Sequence, residues 1–289
     1  MRLCFDATRF GFGLKEAVEL CAHKKLPAVE YTFEPFSVAG KNASGLQGKE
    51  KTYLCEVEGI CRLNQVEVAC INLNYCLDSA SRLSVKQFNA MAAKLCRVAS
   101  AVGCRRFSFW LKAGLEDDWM GAVEEALTPL LKSCAEEGIK PVLRLSTPGQ
   151  FHDQSLRKWR PLEPQDWRDI LAALPDLCLA FCPADCVWQG IDYLQILPAF
   201  APAIEHVEAR DVEINRSLIA DSGLFGPLWW RYRLPGKGQT DWRQVVEALM
   251  LYEYKGHLSI CLDDEFIVQP DLDESLDSAV QAFLPYVRG

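Results

Sequence analysis

Short runs of continuous or alternating apolar residues along this chain are followed repeatedly by longer stretches in which apolar positions recur every three to four residues. The first pattern predicts strands and the second amphipathic helices. Leu3–Phe5 predicts a strand and Leu14–Lys24 a helix. Ala28–Phe33 (AVEYTF) predicts the second strand, before a polar, glycine-containing loop to about Gly48 and a helix through Arg62. Val66–Ile71 is the third strand, and Ser84 is expected to cap a long helix ending at Gly103. Arg105–Trp110 leads to a helix over Trp119–Glu137 closed by Gly138. Lys140–Leu145 and Leu177–Phe181 are followed by helices at Pro164–Leu174 and Tyr193–Phe200. Ile204–Glu208 and Leu258–Cys261 complete the strands, with a helix from Trp242 between them and a last helix over Leu272–Tyr286.

Strands alternating with helices imply parallel βαβ units. Eight such units in a chain of 289 residues fit a single (β/α)8 TIM barrel better than an open sheet. No Pro/Gly/Ser-rich linker divides the sequence, so residues 1–289 are expected to form one domain. There is no GxGxxG or Walker-type loop to indicate a nucleotide.

The charge and cysteine content narrow the function classes. A formal net charge of -8 argues against nucleic acid or an anionic membrane as partner. No apolar run reaches the roughly 20 residues that span a bilayer. The N-terminus, MRLCFDATRFG, reads as a strand and a loop rather than a signal peptide, so a cytoplasmic location is expected. The 13 cysteines fall mostly inside apolar patterns: Cys21, Cys61, Cys96 and Cys134 on helices, Cys4, Cys70 and Cys178 on strands. They are expected to be small buried hydrophobes in a reducing compartment. No CxxC pair supports a zinc ribbon or redox motif.

In such a barrel the active site lies at the C-terminal ends of the strands. The polar residues at those ends are Glu30, Glu34, Asn72, Asn74, Lys112, Arg144 and Asp185, the run Glu208–Asp211, and Cys261–Glu265. Trp188, Trp229, Trp230 and Arg231 accompany them, aromatic groups of the kind that stack on sugar faces. A small sugar, sugar phosphate or sugar acid is the expected partner. Asp263, Asp264 and Glu265 are expected to be a solvated loop. His23, His152 and His257 are expected to be surface or structural, and His206 a hydrogen-bonded core histidine.

Three motifs carry a family likeness: EHVEARD, then WWRYRLPGKGQTDW, then GHLSICLDD, with FCPADCVWQGIDY upstream. These residues resemble the sugar phosphate isomerase/epimerase family, whose fold is the xylose isomerase-like barrel. The resemblance implies an isomerase or epimerase, with dimers common among such barrels, so a homodimer is expected by analogy. It also implies one divalent metal held by a Glu on strand five, an Asp and a His after strand six, a His on strand seven and a Glu on strand eight. The two glutamates would move a proton through an enediolate.

Carried onto this chain, that pattern places Arg144, Cys182, Asp185, Glu208 and Cys261 at the former metal positions. A guanidinium neither ligates a cation nor acts as a base near neutral pH. The principal expectation is a site with no metal, in which Arg144 projects toward Glu208 and Asp185 and the carbohydrate cleft survives with weak, altered or absent isomerase activity. The alternative is an active isomerase with a non-standard acid–base set, catalytic at Glu208, Asp185 and Cys261, or one holding a divalent metal such as Zn or Mn. A Cys261 thiol with a lowered pKa beside Arg144 belongs to that alternative. Glu30, Lys112, Arg144, Trp188, Arg210, Asp211, Trp230 and Arg231 are the expected substrate-binding residues.

Overall fold

The computed structural model describes residues 1–7, 10–33, 48–114, 118–145, 161, 163–224, 226–264 and 272–287. Glu34, His152 and Glu265 lie outside them. In chain order the elements are β1 (Arg2–Asp6), α1 (Leu14–His23), β2 (Ala28–Phe33), α2 (Gly48–Asn64), β3 (Glu67–Asp78) and α3 (Arg82–Ala101). Next come β4 (Arg106–Lys112), α4 (Trp119–Glu137), β5 (Lys140–Arg144), α5 (Pro164–Ala173), β6 (Cys178–Phe181), α6 (Pro183–Gln189) and α7 (Tyr193–Phe200). The chain continues with β7 (Ile204–Ala209), β8 (Asp211–Ile214), α8 (Arg216–Ser222), β9 (Trp230–Arg233), α9 (Trp242–Leu251), β10 (His257–Ile260) and α10 (Leu272–Phe283).

Eight parallel strands are ordered β1-β10-β7-β6-β5-β4-β3-β2 in a closed barrel, and β8 and β9 form a separate antiparallel ribbon. This is the (β/α)8 fold expected from the alternation. Strands of a barrel are covered on both faces, which is why β10 is buried at every position and β3 at its first apolar run from Val68 to Leu73.

The chain divides into two compact units, residues 12–180 and residues 1–11 with 181–289. In the first, Thr32, Asn72 and Ser108 stand at one level of the β2–β3–β4 register, and Trp110 stands opposite Arg144 across β4 and β5. In the second, Cys4, Ser259 and Glu208 share one level across β1, β10 and β7.

Several boundaries differ from the pattern-based expectation. Helix α3 is capped by Ser81, whose Oγ accepts the Ser84 N–H at 3.2 Å. Ser84 is one turn inside, and its own Oγ accepts the Asp78 N–H at 3.1 Å, fastening the end of β3 to the helix. Strand β3 runs to Asp78 rather than Ile71, past a register irregularity between Asn72 and Cys76. Helix α6 and the β8–β9 ribbon lie in stretches the sequence pattern assigns to loop, although Trp230 and Tyr232 alternate with Arg231 and Arg233 as a strand requires.

Asp211 organises the turn after β9. Its carboxylate accepts the backbone N–H groups of Val212, Gly236 and Thr240 at 2.9, 3.0 and 2.9 Å. Gly236 adopts a φ of +80°, and Gly238 packs so closely that a Cβ there would lie 2.5 Å from the Val212 carbonyl oxygen. The PGKG sequence thus places glycine where the chain turns left-handed and where backbone meets backbone. Asp241 then caps α9 by accepting the Gln244 N–H at 3.0 Å.

Candidate functional site

Two buried polar clusters stand near the C-terminal ends of the strands, one in each unit. In the first unit Glu30 is fully buried on β2, where a register shift at Val29/Glu30 re-aims the chain. Asn72 Nδ2 donates to Glu30 Oε1 and, at 3.1 Å, to Thr32 Oγ1. Ser108 Oγ donates to Asn72 Oδ1. Arg144 NH2 lies 3.4 Å from Glu30 Oε1, and its guanidinium carbon sits 4.4 Å above the Trp110 ring. A buried carboxylate is costly unless charge and hydrogen bonds compensate it, and here both do. Burial and the nearby Glu30 push the Cys70 thiol well above its ordinary pKa.

In the second unit Arg210 is the hub. Its NH2 lies 3.2 Å from Glu208 Oε2, its Nε 3.1 Å from Asp263 Oδ2, and its NH2 donates to Cys261 Sγ at 3.8 Å. The guanidinium also lies 5.1 Å from the Tyr232 ring centroid. Burial works against the charge, but Glu208 and Asp263 together hold the Arg210 pKa well above its ordinary value. Beside it, Asp185 accepts from Tyr232 Oη at 2.5 Å and from Trp188 Nε1 at 3.3 Å. Trp188 stacks on Trp230 with centroids 4.8 Å apart and planes 5° apart, and Trp230 meets Tyr232 edge-on at 5.1 Å. Asp185 itself is buried.

Arg210 sets its guanidinium against Glu208, and Arg144 forms an ion pair with Glu30. Arg210 follows the last residue of β7, so its side chain reaches Glu208, two residues back, with no long crossing. The alternative in which the Cys261 thiol has a lowered pKa does not hold. Burial drives its thiol well above the usual value, and the neighbouring Arg210 only partly offsets that. Cys261 is therefore a buried neutral thiol that donates to the Ser259 carbonyl at 3.3 Å. Asp263 and Asp264 are not a solvated run: Asp264 is buried and accepts from Arg233 Nε at 2.9 Å, and Asp263 faces Arg210.

The remaining candidates are placed as follows. Lys112 pairs with Asp78 at 3.8 Å in a partly exposed contact. Arg231 donates to both oxygens of Glu213 at 2.9 and 3.0 Å across the β8–β9 ribbon. A pocket of about 320 Å³ is lined by Glu213, Asn215, Leu228, Trp229, Trp230 and Arg231. His206 is fully buried, as expected of a core histidine, and His257 is buried at the start of β10, a structural place rather than a surface one. Tyr232 was not singled out by sequence, though its position two residues from Trp230 on one strand face signals a shared role.

Cys182, Asp185 and Glu208 present ligand atoms within 4.8 Å of one another, the spacing of a metal-binding set. Their chemistry fits a divalent ion poorly. One Glu208 oxygen faces the Arg210 guanidinium, and one Asp185 oxygen accepts from two donors. Burial and the adjacent Asp185 push the Cys182 thiol well above its ordinary pKa, opposing the thiolate a metal needs.

Comparison with known proteins matches the family described as xylose isomerase-like TIM barrel to residues 14–281. The chain belongs to that family. Among solved structures, a xylose isomerase domain protein from Planctomyces limnophilus superposes with a TM-score of 0.72 at 16% identity, covering 99% of this chain and 96% of that one. D-psicose 3-epimerase, solved in the presence of D-fructose, gives 0.72 at 11% identity with all of both chains covered. An IolI protein with a binding zinc atom gives 0.71 at 14% identity, again over the whole of both chains. At these identities the likeness is one of fold. A curated relative, the uncharacterized protein YfiH of Bacillus subtilis (strain 168), is 28% identical over 100 residues, 31% of this chain. The chain spans about a third of that relative's length (32%). Among the described residues no helix is long and apolar enough to cross a membrane.

Proposed function

We propose that this member of the family binds a small sugar, sugar phosphate or sugar acid and lacks the metal-assisted proton transfer of sugar isomerases. The supporting observation is the buried pairing of Arg210 with Glu208. In the family resemblance, position 208 matches a metal-binding His, and positions 144 and 261 match the two proton-transferring glutamates. Here a carboxylate at 208 is balanced by the guanidinium of Arg210, just past the end of its strand. Arg144 and Cys261 offer no base: the first remains protonated and the second is a thiol held neutral by burial. Glu30, the buried carboxylate of the other cluster, is engaged by Arg144 and Asn72. Stacked tryptophans and the Glu213–Arg231 pair beside a pocket of about 320 Å³ suit a hydroxylated ligand the size of a monosaccharide.

A second reading has one favourable observation, the spacing of Cys182, Asp185 and Glu208. Under it the chain is an isomerase with a non-standard acid–base or metal set. Two measurements on the purified protein separate them. Elemental analysis after dialysis is expected to give no stoichiometric zinc or manganese. Ketoses and aldoses incubated with the protein in heavy water are expected to gain no deuterium at carbon, while calorimetric titration gives heat with at least one sugar or sugar acid. A stoichiometric divalent ion together with deuterium incorporation would replace this proposal by the second reading, and absence of heat across the panel would remove the ligand assignment.

A further inference from the structure

Two thiols away from both clusters meet in the helical layer of the first unit. Cys96 on α3 and Cys134 on α4 place their sulfur atoms 3.4 Å apart, and both residues are buried. The same two helices are tied by Asn89 Nδ2, which donates to the Ala126 carbonyl at 3.1 Å. From that tie to the thiol contact is seven residues along α3 and eight along α4, about two turns on each. Two contacts a matching distance apart fix the helices side by side, so the sulfur atoms meet by register rather than by a chance rotamer.

We propose that Cys96 and Cys134 are a disulfide-forming pair that joins α3 to α4 on two-electron oxidation. A disulfide needs its sulfurs about 2.0 Å apart. The remaining approach of about 1.4 Å is shared by two side chains, each of which swings its sulfur by rotation about its Cα–Cβ bond. The oxidant must be small and uncharged to reach a buried site, and hydrogen peroxide has that character. One thiol takes an oxygen from peroxide, giving a sulfenic acid and water. The second sulfur attacks it, the S–S bond forms, and the sulfenic oxygen leaves as a second water. Two thiols and one peroxide thus give one disulfide and two waters, the thiol electrons reducing the peroxide. The hydrogen bond with Cys96 and burial raise the Cys134 pKa well above the ordinary value, so thiolate is scarce. The first step is accordingly slow and the second fast, since the attacking sulfur is already in contact.

The bond would close a loop of residues 97–133, which contains β4 with Ser108 and Trp110. Cross-linking that segment restricts the unfolded chain and leaves the folded one nearly unmoved.

The test uses the full chain in its folded state, treated with hydrogen peroxide, alkylated with N-ethylmaleimide after unfolding, and digested without reduction. The expected result is one linked species containing the Cys96 and Cys134 peptides, both thiols losing reactivity together. The equilibrium constant for urea unfolding should fall at least about tenfold on oxidation and recover with a reducing agent. Cys134→Ala should abolish both effects. Should that variant not fold, the peptide map of the unaltered chain decides alone. Recovery of Cys96 and Cys134 as two free thiols under conditions that oxidise the exposed Cys55, or a cross-link joining either to another cysteine, overturns the proposal.

Discussion

Arg210 and Glu208, two residues apart on one strand end, form a buried ion pair at 3.2 Å. The second acid on the guanidinium, Asp263, comes from the segment after β10 at 3.1 Å. The pair therefore joins the ends of two neighbouring strands as well as balancing charge. The short reach from Arg210 back to Glu208 costs little side-chain entropy.

Replacing that hub should be severe. Arg210→Met leaves Glu208 buried with its guanidinium partner removed, and breaking a buried pair in this way costs about 3–5 kcal/mol. Urea denaturation should show that loss. The double variant with Glu208→Gln should recover part of it, because a neutral amide is cheaper to bury. A single-variant loss below about 1 kcal/mol would show that the pair is not the stabilising contact described.

The turn after β9 makes a separate prediction. In Gly238→Ala the new Cβ meets the Asp211 carboxylate and the Val212 carbonyl oxygen, neither of which is the end of a flexible chain. Overpacking of this kind costs about 1–3 kcal/mol. Asp211→Ala, which leaves three backbone N–H groups without their acceptor, should cost a comparable amount, about 1–3 kcal/mol. Thermal unfolding of the two variants, and protease cleavage near Lys237, would measure both.

Buried thiols set the alkaline limit. Burial raises Cys21 to about 12 and Cys104 to about 12, from an ordinary 9.0. Their folded values lie above the unfolded ones, so the stability they contribute is complete below pH 9 and declines as pH rises from 9 toward 12. In that window the unfolded chain has released protons the folded chain retains. Each such thiol steepens the loss by about 1.4 kcal/mol per pH unit. Unfolding titrations between those limits should show the slope, and Cys104→Ala should make it shallower by about one thiol's share.

Asn72 offers a pH-dependent test of the first cluster. Asn72→Asp keeps the shape but replaces the donor that Glu30 accepts with a second carboxylate. The variant should be less stable than the parent at neutral pH and regain part of the difference near about pH 5, as a shared proton restores the hydrogen bond. A deficit that is the same at both values would mean that packing, not charge, holds Asn72.

Much of this was legible in one dimension. The alternation of strand and helix periods located all eight barrel strands, and the glycines of PGKG stand where the backbone angle at Gly236 and the close approach at Gly238 require them. The candidate-site residues Glu30, Arg144, Asp185, Glu208 and Arg210 were also visible as polar groups at predicted strand ends. Their pairing was not. Nothing in the order of residues places Arg210 against Glu208 or Arg144 against Glu30, and the acidic run at Asp263 and Asp264 reads as solvated until the arginines that face it are placed.

The sequence by itself determined the barrel and the turn after β9, because hydrophobic period and glycine's freedom at φ act over a few neighbouring residues. Only the tertiary structure decided which charges neutralise one another and that two of the 13 cysteines touch. Those outcomes depend on distances of a few ångströms between segments remote in the chain, and Coulomb and contact energies fall off too steeply for any local pattern to encode them.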